Sequence, residues 1–269
     1  MISIKTTFSS PIENLAFDEA LVEVADKWSS NDTVLGPGRR AEEVLRIWEM
    51  PSVCVILGRA SKRMLEVNEL ACERDRVPVL RRVSGGATVV AGPGCLMYSA
   101  LISYESRPSW RMLDQAHAQV MNRIQAAVQQ TLVATGILGN VELKGTCDLT
   151  LNDRKFSGNA LRCKRNWMLY HGTIIYSMEL EMLGKYLLEP PRQPEYRENR
   201  EHLAFVTKLL PMNSQIPIDT IRASLERELS AAWAATASQQ PTDFLDAVEV
   251  ESQRLQRERY SSPNWHRHL

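Results

Sequence analysis

From Val83 to Tyr104 the chain carries no acidic, basic or histidine side chain. Such a run must be buried in protein or cross a bilayer. A membrane-spanning helix needs about 20 mainly apolar residues. Gly85, Gly86, Gly92, Pro93 and Gly94 interrupt this run and would strand backbone polar groups in lipid. The run therefore reads as two buried strands, Ala87–Val90 and Leu96–Ile102, separated by a turn and set in a protein core.

The surrounding pattern supplies the rest of a fold. Asn14, Leu15, Phe17, Leu21 and Val24 recur at helical spacing across Pro11–Lys27, with Glu13, Asp18 and Glu19 near the start. Ser29–Arg40, with Gly36-Pro37-Gly38, reads as a mobile loop. Strands are expected at Val44–Trp48 and Val53–Leu57, a helix over 65–76, and a short strand at Val79–Leu80. Met112–Thr135 is the clearest helix, its apolar residues at three- and four-residue steps and Gly136 at the stop. Short strands follow at Val141–Leu143, Asp148–Leu151, Lys155–Leu161 and Met168–Tyr176, with Asn152-Asp153 marking a tight hairpin. Helices are expected over 179–188, Ile218–Ala234 and 242–258, and the charged, Pro-rich stretch 189–202 is expected to run over the surface. Strands and helices are interspersed without regular alternation. That pattern predicts an α+β class: a mixed, mostly antiparallel sheet with flanking helices, packed on one side.

In 269 residues there is room for one large domain, or one domain with a small appendage. Lys plus Arg and Asp plus Glu number 32 each, so the formal net charge is zero. This argues against a surface built for nucleic acid or anionic membrane. The five cysteines are scattered without a CxxC pair, and the five histidines make no metal-like spacing with them. With no apolar leader at the N-terminus, reduced thiols and a cytoplasmic location are expected.

Three segments carry candidate chemistry. In Arg81-Arg82-Val83-Ser84-Gly85-Gly86-Ala87, two arginines precede a Gly-Gly turn. Glycines let backbone N–H groups approach an anion, and an arginine beside them binds phosphate or carboxylate through two parallel bonds. A plain hairpin turn is the alternative, and the GxxxxGK[ST] phosphate loop is absent. In KGTCDLTLNDRKFSGNALR, Lys155 follows the hairpin on a half-buried strand. Either it reaches solvent or its ammonium enters the same pocket as Arg82 and meets an anionic acyl phosphate, with Asp148 orienting it or holding a magnesium ion. The third segment is Tyr170-His171-Gly172-Thr173, where His171 is either a hydrogen-bonded core residue or a site residue. Cys147 is a candidate nucleophile, or a buried, inert thiol.

In their joint order, RRxSGGA, then GxCDLxxxxRKFSGNALR, then HGT, these segments resemble the lipoate–protein ligase family of the biotin/lipoate ligase and octanoyltransferase superfamily. Asn14-Leu15-Ala16 with Asp18-Glu19, Trp48 through Gly58-Arg59, Phe205 to Leu209, and Tyr260 with Trp265 are similar to further family stretches. The resemblance implies an α+β catalytic domain that activates lipoate or octanoate with ATP and Mg2+ to the acyl-adenylate. The acyl group then passes to a lysine of a carrier, the lipoyl domain of a 2-oxoacid dehydrogenase or the glycine cleavage H protein. It implies Lys155 as the catalytic lysine; Asp148 beside it is the second catalytic candidate and the candidate magnesium ligand. Arg82, Ser84, Gly85, Gly86, Ala87, Gly158, Asn159, Ala160, His171, Gly172 and Thr173 would surround the acyl-adenylate. Trp48, Val89 and Met97 would set the depth of the acyl pocket.

The chain departs from the ligase pattern at defined places. Ala91-Gly92 stands where ligases carry His-Asp, Cys147-Asp148 where they carry Asn-Asp, and Tyr170 where they often have a second histidine. Gly92-Pro93-Gly94 looks like an octanoyltransferase HGPG motif lacking its histidine. The alternatives are an ATP-independent octanoyl or lipoyl transferase acting through Cys147, and a non-catalytic lipoate-binding relative. The expected division is a catalytic domain, 1–238, and a helical extension, 239–269, too short for a full accessory domain, so that a separate accessory subunit enters as a candidate partner. No nucleic acid or membrane partner is expected.

Overall fold

The computed structural model describes residues 1–30, 40–211, 214–237 and 242–267. In chain order, β1 (Ile2–Ile4) and α1 (Pro11–Ser30) lead to β2 (Val44–Glu49) and β3 (Cys54–Leu57). Two short helices follow, α2 (Arg63–Glu66) and α3 (Glu69–Asp75), then β4 (Val79–Arg81), β5 (Val89–Ala91) and β6 (Cys95–Ser103). The long helix α4 (Leu113–Thr135) precedes β7 (Val141–Lys144), β8 (Asp148–Leu151), β9 (Arg154–Cys163) and β10 (Trp167–Ile175). Then come α5 (Glu181–Tyr186), α6 (His202–Phe205), α7 (Ile218–Ala232), β11 (Thr236–Ala237), α8 (Asp243–Leu255) and α9 (Pro263–Arg267). A π-helical turn, Gln256–Tyr260, joins the last two helices.

Among the described residues, eight strands form one sheet in the order β11-β1-β2-β6-β10-β9-β8-β7, and three form a second, β4-β3-β5. Only the β11–β1, β1–β2 and β3–β4 pairs are parallel. The class is therefore α+β with a mixed, mostly antiparallel sheet, as expected. The helices, however, flank both faces. Alternate residues of the central strands point to opposite sides, the period-two rule of a pleated sheet. Val44, Trp48, Met97, Leu101 and Leu169 pack with α1 and α8 in one core. Leu45, Ile47, Tyr98, Ala100 and Met168 pack with α4 and α7 in the other. This explains the uncharged run: β6 is buried along its whole length because it is covered twice.

Other differences have local causes. The helix expected over 65–76 is two helices, because Asn68 caps the second by accepting from Ala71 N, 3.3 Å. Gly92-Pro93-Gly94 is a structural turn. Gly94 has φ +87°, its N–H donates to Glu49, and its carbonyl accepts from the backbone N–H groups of Tyr176, Ser177 and Met178. Asn152 and Asp153 both adopt positive φ, as a two-residue hairpin turn of this hand requires. The stretch 189–202 is more than a solvated surface segment, since Arg197 is buried, paired with Glu189 at 2.6 Å and stacked over Phe205. The loop expected over Ser29–Arg40 starts later, because α1 runs on through Ser30; residues 31–39 and the boundary expected at 238/239 lie outside the described residues.

Candidate functional site

The α1 face of the large sheet carries two rungs of side chains across β2, β6 and β10. Register places Arg46 opposite Ser99 and Ser99 opposite His171; one rung along, Trp48, Met97 and Thr173 align in the same way. Asp18 descends from α1 onto the polar rung. Its carboxylate accepts from Arg46 at 2.6 Å and from Ser99 at 2.5 Å, and lies 3.7 Å from His171 Nδ1. Burial works to raise the Asp18 pKa, but Arg46, His171 and Ser99 outweigh it and hold the carboxyl below its usual range.

Above these rungs lies a cavity of about 270 Å³. Arg82, Gly86, Ala87, Cys147, Asp148, Lys155, Gly158, Asn159, Ala160, His171, Gly172 and Thr173 all line it, together with Trp48, Val89 and Met97. Residues as far apart in the chain as Trp48 and Thr173 thus meet around one space. Ser84 and Gly85 do not line it. Ser84 is buried behind His171, and Gly85 is exposed. A second cavity, of about 110 Å³, shares the wall Ala87, Val89, Lys155, Gly158 and Thr173 and continues between Phe156, Leu187, Arg197, Phe205 and Val206.

Lys155 reaches that shared wall because of a β-bulge. Asp148 pairs with Gly158 and Leu149 with Ser157, but Thr150 pairs with Lys155, so Phe156 is the extra residue. Phe156 fills the α4-side core, while Lys155 and Gly158, three apart, come to the same face. On an unbroken strand they would point to opposite faces. The Lys155 ammonium lies 2.8 Å from Asp148 Oδ1, and Tyr196 donates to Asp148 Oδ2 at 2.8 Å. A Cβ on Gly158 would meet the Lys155 terminus at 3.0 Å, so glycine here leaves the ammonium its place.

The Gly-Gly segment is stapled from inside. Arg82 donates to Ser84 Oγ at 3.0 Å, Gly85 O at 2.5 Å, Ala87 O at 3.1 Å and Ile56 O at 3.3 Å. Burial lowers its pKa to about 10, so the guanidinium remains charged at neutral pH. Because Arg82 can only donate, the Ser84 hydroxyl is free to donate to His171 Nε2, 2.5 Å away. His171 Nδ1 faces Asp18.

A model of the lipoyl protein ligase A/B catalytic domain matches residues 10–230. The chain belongs to this family. A Mycoplasma genitalium relative named "Probable lipoate-protein ligase A" is 26% identical over 180 residues, 66% of this chain and 48% of its own length. The chain spans half or less of the first three curated relatives it matches. Among solved structures, the bi-partite lipoate protein ligase of Thermoplasma acidophilum is similar at TM-score 0.73 and 19% identity, over 100% of this chain and 96% of that one. A lipoate-protein ligase A bound with ATP is similar at TM-score 0.68 and 20% identity, over 99% and 98%. At these identities the structural likeness establishes the shared fold.

Within this family member, several site features are tertiary. Asn159 spends its side chain inside the sheet, donating to Cys147 O at 2.7 Å and Ser157 Oγ at 3.2 Å and accepting from Tyr98. Cys147 Sγ donates to Asn159 O at 3.1 Å, and burial pushes its thiol up to about 11, Asp148 adding to the effect. Such a thiol is protonated at neutral pH and is a weak nucleophile. Asp18, Arg46, Ser99 and Tyr196 were not among the residues expected at the site. A signal existed for two of them: Arg46 is the lone charge in the apolar strand VLRIW, and Asp18 lies on the apolar face of α1 three residues after Leu15. A charge so placed calls for a partner. Nothing in the sequence pointed to Tyr196.

Among the described residues, no group of three or more His, Cys, Asp or Glu could hold a metal ion. Asp148 is a single carboxylate beside the shared wall, the donor set that suits Mg2+ bound chiefly through a nucleotide's phosphates. Among the described residues, no helix is long and apolar enough to cross a membrane.

Proposed function

We propose that this chain activates lipoate or octanoate with ATP, forming the acyl-adenylate and pyrophosphate, and transfers the acyl group to a lysine of a lipoyl carrier domain. The observation that carries this reading is the pair of cavities meeting at Lys155. The larger one, with Trp48, Val89 and Met97 in its wall, suits an acyl chain. The smaller one suits the nucleotide base, which leaves the mixed anhydride at the shared wall.

The substrate carboxylate attacks the α-phosphorus and pyrophosphate leaves. The carrier amine then attacks the acyl carbonyl and AMP leaves. Both steps build negative charge on oxygen at the place the Lys155 ammonium reaches. A fixed cation there contributes about 10²–10³-fold in rate. Proximity of bound anhydride and acceptor supplies much of the remainder, and no enzyme nucleophile is needed. Asp148 and Tyr196 hold Lys155 in place before substrate arrives. Asp148 would also hold Mg2+, which when bound neutralises phosphate charge.

Support for each partner comes from different proteins. A ligase of this fold was solved with ATP, and a Plasmodium falciparum protein of this fold with lipoate. The Thermoplasma ligase is bi-partite and was studied with its E2 lipoyl domain. Under the same reading, 1–238 form the catalytic unit and 239–269 an extension, and an accessory subunit joins the activation step. Lipoate-driven exchange between ATP and pyrophosphate tests the proposal. Exchange in the chain, alone or with such a subunit, supports it. Its absence, together with an acyl-thioester trapped on Cys147, would establish the cysteine transferase instead.

A further inference from the structure

The C-terminal segment Arg259–His266 lines neither cavity, yet it grips the sequence neighbours of two residues that do line the larger one. Glu19 follows Asp18 on α1 and is buried. The Tyr260 hydroxyl donates to Glu19 at 2.7 Å and Arg259 pairs with it. Arg81 precedes Arg82 and is 1% exposed. Its guanidinium donates to five backbone carbonyls. Two belong to the tail, Trp265 O at 3.1 Å and His266 O at 3.3 Å. Three belong to one turn, Gly58 O at 2.8 Å, Arg59 O at 3.1 Å and Ser61 O at 2.9 Å.

The tail returns the contact. Trp265 Nε1 donates to Arg81 O at 2.9 Å, and His266 Nδ1 accepts from Arg81 N at 3.0 Å while its other nitrogen donates to Tyr260 O at 2.7 Å. The Gly58–Ser61 turn passes the restraint on. Arg59 N donates to Ser84 O at 2.7 Å and Ser61 Oγ to Gly86 O at 3.4 Å, and a Cβ on Gly58 would overlap the Gly86 carbonyl. A guanidinium spread over two chain segments keeps its hydrogen bonds only while both stay in place, since a buried unsatisfied donor is costly.

We propose that Arg259–His266 is a brace for the acyl cavity, with Arg81, Trp265 and His266 as positioning residues. They hold the Ser84–Ala87 loop against α1 and so set ligand affinity without touching ligand. By linkage, a ligand that needs the ordered loop tightens the tail, and a loosened tail weakens the ligand by the same factor. Lipoate as the probe rests on the proposed function; the loop restraint itself does not.

The test combines amide hydrogen exchange with lipoate binding in the full chain. Trp265→Phe keeps an aromatic ring and loses the Nε1 donor to Arg81 O. It is expected to raise exchange at Arg59 and Thr88, the hydrogen-bonded amides against the loop and at its end, and the dissociation constant for lipoate, about five-fold. Amides of α4, on the other face of the sheet, keep wild-type protection. His266→Leu is expected to do the same, and His266→Asn, whose carbonyl oxygen can take the Arg81 N–H, to restore both. In turnover the Trp265→Phe effect falls on KM, with kcat near wild type. Unchanged loop exchange in Trp265→Phe, or an equal rise in α4, would overturn the brace. Failure of wild type to bind lipoate would count against the proposed function and leave the exchange comparison to decide.

Discussion

Lys155 combines two properties rarely found together on a strand: a full charge and a place on a cavity wall shared by two lobes. Its partner Asp148 keeps Tyr196 when the ammonium is removed, so Lys155→Ala is expected to fold with an unfolding midpoint close to wild type. Acyl transfer to a lipoyl domain should fall by about 10²–10³-fold or more in single-turnover assays. Transfer at the wild-type rate would remove Lys155 from the mechanism. Cys147→Ser keeps a donor for Asn159 O and is expected to retain most activity, because a thiol held near 11 is a weak nucleophile at neutral pH. Loss of turnover in that variant would favour a thioester route.

At the scale of elements, α1 is pinned to the sheet by a buried ion pair. Arg46 is 0% exposed, Asp18 3%, and the guanidinium also stacks over Trp48, Phe17 and Phe8. Removing one member of such a pair leaves the other charge buried and alone. Asp18→Ala is therefore expected to cost about 3–5 kcal/mol in urea unfolding. The pH dependence has a definite sign. A carboxyl whose native pKa is depressed contributes its stability above the unfolded value, about 3.9. That contribution disappears as pH falls through the lower native value. Wild type should thus lose stability below about pH 4 more steeply than Asp18→Asn; parallel acid-unfolding curves would show that the pair does not govern it.

Across the whole molecule, the stretch 189–202 ties the two cavities together. It gives Pro194 to the larger and Pro190, Arg197 and His202 to the smaller, and Tyr196 reaches Asp148 from it. A ligand occupying both cavities would contact the stretch at several points, and binding energy spent there appears as slower opening. A stable analogue of lipoyl-adenylate is expected to protect amides of 189–202 from hydrogen exchange. Protection confined to Ser84–Ala87 would separate this stretch from the ligand.

Much of this architecture is legible in the sequence. The period of apolar residues located α1, α4 and the central strands, because burial on a helix or pleated sheet imposes a repeat on the sequence. The segments RRVSGGA, RKFSGNA and HGT stand out through their joint order, which resembles that of the lipoate–protein ligases; taken singly, each also fits a plain turn, a solvated lysine or a core histidine. Tertiary structure alone decided three things. A single bulge residue sets the face on which Lys155 lies, and strand periodicity cannot announce it. The service of Arg82 as a loop staple depends on carbonyls that converge only after folding. The grip of Trp265 and His266 on Arg81 joins positions more than 180 residues apart. Contacts at that separation arise from chain closure around two cores, and no local pattern encodes them.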